Sequence, residues 1–250
     1  MNRMKGDLAL KIFCDDDEEE AEKSYTREVV ANLQAPQHDR VIPLLAAFKH
    51  LGKFHMILPW ADGGNLADLF KNYTARGTPQ KVGSEDAEWY SENWLLAECL
   101  GLADGLTSVH KPADEALTSA QIHADIKPEN ILCFTPTDGW PGFTLKLADF
   151  GEARVVNGKA GTIPAQHVPH TKTYRPPEHD TNDEVNLNYD VWCLGCVFLE
   201  FITWAIAGSE SLDKFQEDRL EERDEQVTVG GLSIQEVAVP EHFSRTQSEM

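Results

Sequence analysis

The stretch HADIKPENIL at 123–132, followed by LADFGEA at 147–153, sets the terms for the rest of the chain. The first string places a carboxylate (Asp125), an ammonium (Lys127) and an amide (Asn130) within six residues, and the second adds Asp149. Each lies beside an apolar run, NILCF at 130–134 and FTLKLA at 143–148, which read as short strands joined through a turn containing Pro and Gly. Polar groups at the ends of strands point to a site held on a rigid frame.

Working upstream, DLALKIF at 7–13 and FHMILPW at 54–60 read as sheet strands buried on at least one face, with VIPLLAAF at 41–48 as a third. A helix is expected from about Ala21 to Leu33, behind an acidic loop from Asp15 to Glu20 that reads as a solvated charge run. After the break at Gly63-Gly64 a helix begins near Asn65, with Leu66, Leu69 and Phe70 on one face. Leu95, Cys99, Leu102, Leu106 and Val109 then mark the core stripe of a helix from about Ala87 to His110. Downstream, 152–176 reads as loop and 210–225 as a highly charged helix, followed by an aperiodic tail. The order is a small sheet over a cleft, then a helical part.

At 250 residues and 41% apolar content the chain can bury a substantial core. Its formal charge of -20 repels nucleic acid and anionic membrane over most of the surface, so neither is expected as a partner. No basic start with a long apolar run marks a secretory signal, and the expected location is cytoplasmic or nuclear. Five cysteines read as reduced thiols, with Cys193 and Cys196 packed in a core helix rather than holding a metal. Val191 to Gly208 approaches membrane-spanning length, but Glu200 lies within it, and it reads as a buried helix of a soluble fold.

Taken together, HADIKPENIL and LADFGEA resemble the catalytic and metal-binding loops of eukaryotic-type serine/threonine protein kinases. The resemblance runs from about Leu8 to Trp204. It implies an α+β, two-lobe fold in which a small antiparallel sheet plus one helix sits over a mainly helical lobe. Residues 1–61 would form part of the small lobe, 62–208 the large lobe, and 209–250 a charged helix and tail.

The resemblance implies Mg·ATP as the cofactor and a protein hydroxyl as the acceptor. Asp125 would orient the hydroxyl, Lys127 would offset charge on the γ-phosphate, and Asn130 and Asp149 would hold Mg²⁺, a hard ion suited to oxygen ligands. Lys11 in LALKIF would hold the α- and β-phosphates with Glu28 as its partner; the competing reading is a surface ion pair. ILPWADGGNL at 57–66 resembles the hinge, with Leu58 beside the adenine. Pro59 would offer its carbonyl and Ala61 its N–H, while Asn65 would face the ribose. Ala9 and Leu132 would sandwich the purine, although ordinary core packing suits them equally. HTKTYRPPE at 170–178 resembles the end of an activation segment, with Thr171 near Asp125, and Asp190 would brace the catalytic loop. The lysine of DIKPEN is the serine/threonine form, and Glu129 together with the acidic surface implies a basic protein substrate.

Three departures accompany these parallels. Six residues precede the lysine strand, so the glycine-rich loop and its two strands are expected to be missing. Ala124 stands where many kinases carry an arginine that reads phosphorylation. Past Trp204 the remaining helices find no counterpart, including the arginine expected to pair with Glu178. Three readings therefore remain: an active kinase, a pseudokinase-like binding or scaffold protein, and a partial product that does not fold alone.

Overall fold

β1 (Leu8–Phe13) and α1 (Glu18–Gln34) open the fold, and β2 (Ala46–His50) and β3 (Lys53–Pro59) complete its sheet. The structure is a computed structural model that describes residues 7–15, 17–73, 92–111, 120–136, 142–156, 161–168, 171–181, 184–224, 228–229 and 232–233. The strands lie in the order β1-β3-β2, all antiparallel, with Lys11 opposite Met56 and Ala47 opposite Met56 from the other side. The face bearing Lys11 and Met56 also carries Phe54 and packs toward α1, and Met56 and Phe54 are buried. The opposite face is exposed: Leu8 and Leu10 retain 54% and 55% of their surface. The expectation of a buried apolar face thus holds for β3 and only in part for β1, where Leu8, Leu10 and Ile12 point outward while Phe13 packs edge-on to Tyr25 of α1.

Two more boundaries differ from the expectation. The acidic run does not stay a loop, because Glu18, Glu19 and Glu20 form the first turn of α1 and Asp17 caps it, accepting from Glu19 N. Carboxylates at a helix start meet the unpaired N–H groups and the positive end of the dipole. The third strand begins at Ala46 rather than at 41. Pro43 removes a donor, and the chain before it bridges instead to Leu147: Ile42 N donates to Leu147 O at 2.9 Å and Arg40 O accepts from Leu147 N at 2.8 Å.

The helical part follows with α2 (Leu66–Asn72), α3 (Glu92–Val109), β4 (Ala120–Ile122), a 3₁₀ turn at Pro128–Asn130, β5 (Ile131–Phe134), β6 (Thr144–Leu147) and β7 (Arg154–Val156). β5 and β6 pair as expected, whereas β4 with β7 places strand structure inside a segment expected to be loop. β8 (Ile163–Pro164), a 3₁₀ turn at Ala165–His167, α4 (Glu178–Thr181) and β9 (Glu184–Val185) lead to α5 (Asn188–Ala207) and α6 (Ser209–Asp224). A short ribbon, β10 (Thr228–Val229) with β11 (Leu232–Ser233), ends the described chain. Residues 87–91 of the expected α3 and most of the expected tail lie outside the described residues.

The core gathers around α5, where Phe201 and Trp204 pack with Phe70 and Trp94. Cys193 and Cys196 are buried there as packing residues. α5 is not buried all round, however: Val191, Trp192, Leu199, Ile202 and Ile206 are exposed. By length and composition alone it could cross a membrane. Its two acids are fully buried and hydrogen-bonded within the fold, as described below.

One tertiary anchor ties the segment after α1 to the helical part. Arg40 pairs with buried Glu98 of α3, which also accepts from Leu145 N at 2.8 Å. α3 presents Gly101 and Gly105 to this arginine, and a Cβ at Gly101 would lie 2.6 Å from Arg40 Nε. Gly101 makes room for the Arg40 guanidinium and Gly105 for its Cβ and backbone.

Candidate active site

The 3₁₀ turn at 128–130 starts at a proline, whose fixed φ suits the first position and whose missing N–H is not needed there. The turn folds Asn130 back onto Asp125. The Asn130 amide donates to the Asp125 carbonyl at 2.8 Å and to its carboxylate at 2.7 Å, so its own Oδ1 is left to accept or to ligate. Lys127 Nζ lies 2.9 Å from the same carboxylate. Ala148 N donates to Asn130 O at 2.9 Å, which joins this loop to the LADFGEA string.

Two residues beside the site sit in the left-handed backbone region, Ala124 at φ 70 and Asp149 at φ 62. Such backbone is unfavourable for non-glycine residues by about 1–2 kcal/mol and persists where the surroundings fix it. Asp190 does this for Ala124. Its fully buried carboxylate accepts from Ala124 N at 2.9 Å and His123 N at 2.7 Å, and it meets His110 Nε2 at 2.8 Å. Asp149 is held by Gly151 N at 3.3 Å and by Lys11 Nζ at 3.1 Å, both on Oδ1, which leaves Oδ2 without a partner among the described residues.

Lys11 reaches Glu28 at 2.8 and 2.7 Å, so β1, α1 and the Asp149 loop converge on one ammonium. Burial alone would lower the Lys11 pKa, but the Asp149 and Glu28 carboxylates outweigh it and hold it above the ordinary value. Burial would likewise raise Asp149, and Lys11 reverses this to hold it below the usual range. For Glu28 burial prevails over Lys11 and the pKa rises.

All six of these groups, Lys11, Glu28, Asp125, Lys127, Asn130 and Asp149, line one cavity of about 660 Å³, and Thr171 shares it with Asp125. The hinge set is placed differently. Ala9 pairs with Leu58 and Leu8 with Pro59 in the sheet, and Ala61 O accepts from Gly64 N. Asn65 bridges to Leu132, and its side-chain oxygen caps α2 by accepting from Asp68 N. None of Ala9, Leu58, Pro59, Ala61, Asn65 and Leu132 lines that cavity.

The donor set suits a magnesium-bound polyphosphate. Two hard oxygens, from Asn130 and Asp149, are unused by the described residues. Five carboxylates against three cations line the cavity, so a bare triphosphate would be repelled, and a divalent ion reverses that balance.

The sequence did not disclose one further group. Glu200 of α5, fully buried, accepts from Tyr174 OH at 3.0 and 2.8 Å and pairs with Arg219 of α6 at 2.9 Å. Arg219 also donates to the Thr173 carbonyl and lies over the rings of Tyr174 and Phe215. Arg219 of the acidic helix thus serves Glu200 rather than Glu178. Phe215 four residues before Arg219 was the available signal, an aromatic one turn from an arginine on a helix rich in charge.

Comparison with known proteins agrees with this geometry. The protein kinase domain family model matches residues 2–249, and the chain belongs to that family. The match extends past Trp204, where the motif resemblance stopped. Among similar curated proteins, serine/threonine-protein kinase Nek5 of Mus musculus is 28% identical over 182 residues, covering 73% of this chain and 25% of that protein. Nek1 of Mus musculus is 32% identical over 182 residues, covering 73% and 13% respectively. Mitogen-activated protein kinase kinase 1 of Arabidopsis thaliana is 29% identical over 196 residues, covering 78% and 47%. The chain thus spans a quarter or less of the two Nek relatives and about half of the plant one.

Proposed function

We propose that this chain transfers the γ-phosphate of ATP to a serine or threonine hydroxyl of a protein. The observation that carries the reading is the single cavity lined by Lys11, Glu28, Asp125, Lys127, Asn130 and Asp149. Phosphoryl transfer asks a protein for position and charge rather than covalent chemistry, and these groups supply both.

In this reading Lys11, steadied by Glu28, binds the α- and β-phosphates. Asn130 and Asp149 hold Mg²⁺, which when bound neutralises phosphate charge. Asp125, fixed by Asn130, orients the acceptor hydroxyl and takes its proton as the oxygen–phosphorus bond forms and the bond to the β-phosphate oxygen breaks. Lys127 offsets the charge that develops between them. Leu58, Pro59, Ala61, Asn65, Ala9 and Leu132 would receive the adenosine. Supporting the serine/threonine choice are the lysine of DIKPEN and the named relatives. Glu129, which also lines the cavity, supports a basic substrate.

A second reading, a kinase-shaped binding or scaffold protein, draws on the sheet order: β1 is an edge strand, so no described strand covers the cavity beyond it. The two are separated by incubating the full chain with labelled ATP, Mg²⁺ and a mixed basic protein substrate, then identifying the labelled amino acid. Phosphoserine or phosphothreonine is expected, and absence of label contradicts the proposal. A thermal shift with Mg·ATP then sorts a binder from a non-binder, because a ligand held only by the folded state raises its stability.

A further inference from the structure

α6 is the most charged of the described helices, yet it enters the wall of the catalytic cavity. Gln216 and Leu220, one turn apart on one face, line it together with Thr171, Thr173 and Tyr174. Leu220 is the sole aliphatic side chain among the described lining residues, and it keeps 37% of its surface exposed. It belongs neither to the buried core nor to the partly buried residues packed on it.

The helix is fixed rather than hinged. Leu212 is buried, Ser209 Oγ donates to Phe70 O at 2.7 Å, and Arg219 is clamped between Glu200, Thr173 and Tyr174. Removing Arg219 from Glu200 would leave a carboxylate buried without a cation, so the wall is part of the folded state. The residues that hold it, 173–174, are continuous with Thr171, which shares the cavity with Asp125. The nucleotide phosphates belong with Lys11 and Asp149, so the side formed by 171–174 and α6 is left for the hydroxyl-bearing segment.

We infer that α6 forms the acceptor-side wall of the site, and that Leu220 selects a protein segment with an apolar side chain beside its serine or threonine. This rests on the kinase reading above and adds the specificity of the same site. A lone exposed leucine in a polar wall gains by covering an apolar partner and loses by covering a charge that it cannot solvate. One well-covered aliphatic contact discriminates by about tenfold or more, and half-exposure puts this one at the lower end.

The test uses the full chain, Mg·ATP and serine peptides randomised at each flanking position, comparing wild type with Leu220→Asp and Leu220→Ile. Wild type is expected to favour Leu, Val, Ile, Met or Phe at one flanking position by about tenfold over Asp or Lys. Leu220→Ile should retain the preference, and Leu220→Asp should abolish it or turn it toward Lys and Arg. Both variants are first checked for an unchanged melting profile, which the exposure of Leu220 leads us to expect. Transfer by wild type without any apolar position, or with a preference unaltered in Leu220→Asp, overturns the inference and leaves the kinase reading standing. No transfer by wild type overturns the kinase reading and this inference with it.

Discussion

Lys11 and Asp149, 138 residues apart, meet at 3.1 Å, and the same ammonium is held on its other side by buried Glu28. A lysine on a strand, a carboxylate on a helix and a carboxylate after a second strand pair are thereby joined, and each shifts the others' protonation.

Lys11→Met removes the cation that all three elements share. Mg·ATP affinity, measured by titration or thermal shift, is expected to fall by about 10- to 100-fold, the scale of one lost charge-assisted contact of about 1.5–3 kcal/mol. An unchanged ATP response would mean that the pair serves structure alone.

The same substitution carries a pH signature. The Lys11 pKa is raised above 10.5, so its contribution to stability is fully present below that value and is lost as pH rises through the folded pKa. Denaturant unfolding of wild type and Lys11→Met from neutral into the alkaline range should show a constant gap that closes above about pH 10.5. A gap that widens with pH would contradict the assignment.

Asp190→Ala strips three hydrogen-bond partners of their buried acceptor. A loss of about 3–5 kcal/mol is expected on equilibrium unfolding, the scale for one member of a buried charged network. Arg219→Ala should cost a similar amount by leaving Glu200 buried without a cation. Losses below about 1 kcal/mol, the scale of exposed pairs, would show that these carboxylates are solvated in solution.

Gly101→Ala would gain about 1 kcal/mol in helix propensity were the site open. A Cβ there meets the Arg40 guanidinium at 2.6–3.0 Å, so the variant should instead be less stable by about 1–3 kcal/mol. A stabilised variant would mean that Arg40 moves aside freely.

What the sequence disclosed follows from where chemistry is local. Asp125, Lys127 and Asn130 lie in one turn, so their grouping is legible from the string alone, as is the pairing of the strands that precede Asp149. The partners of Arg40 and Arg219 lie 58 and 19 residues away, and an arginine in a string gives no sign of which of many acids it will meet. β1 misled because Leu8, Ala9, Leu10 and Ile12 are apolar on both faces, so no alternation marks which one faces the core. α5 misled likewise, its uniform apolarity hiding a face that the described fold leaves open. The cap at Asp17 was legible, since an acid followed by three glutamates is a helix start, and counting charge alone concealed it.

The most direct measurement compares label transferred from Mg·ATP to a basic protein by wild type and by Asp125→Asn. The full chain should transfer, and the variant, still folded and still shifted in melting by Mg·ATP, should be slower by about 10²–10⁴-fold. Equal transfer by the two proteins would place the chemistry elsewhere and contradict the account.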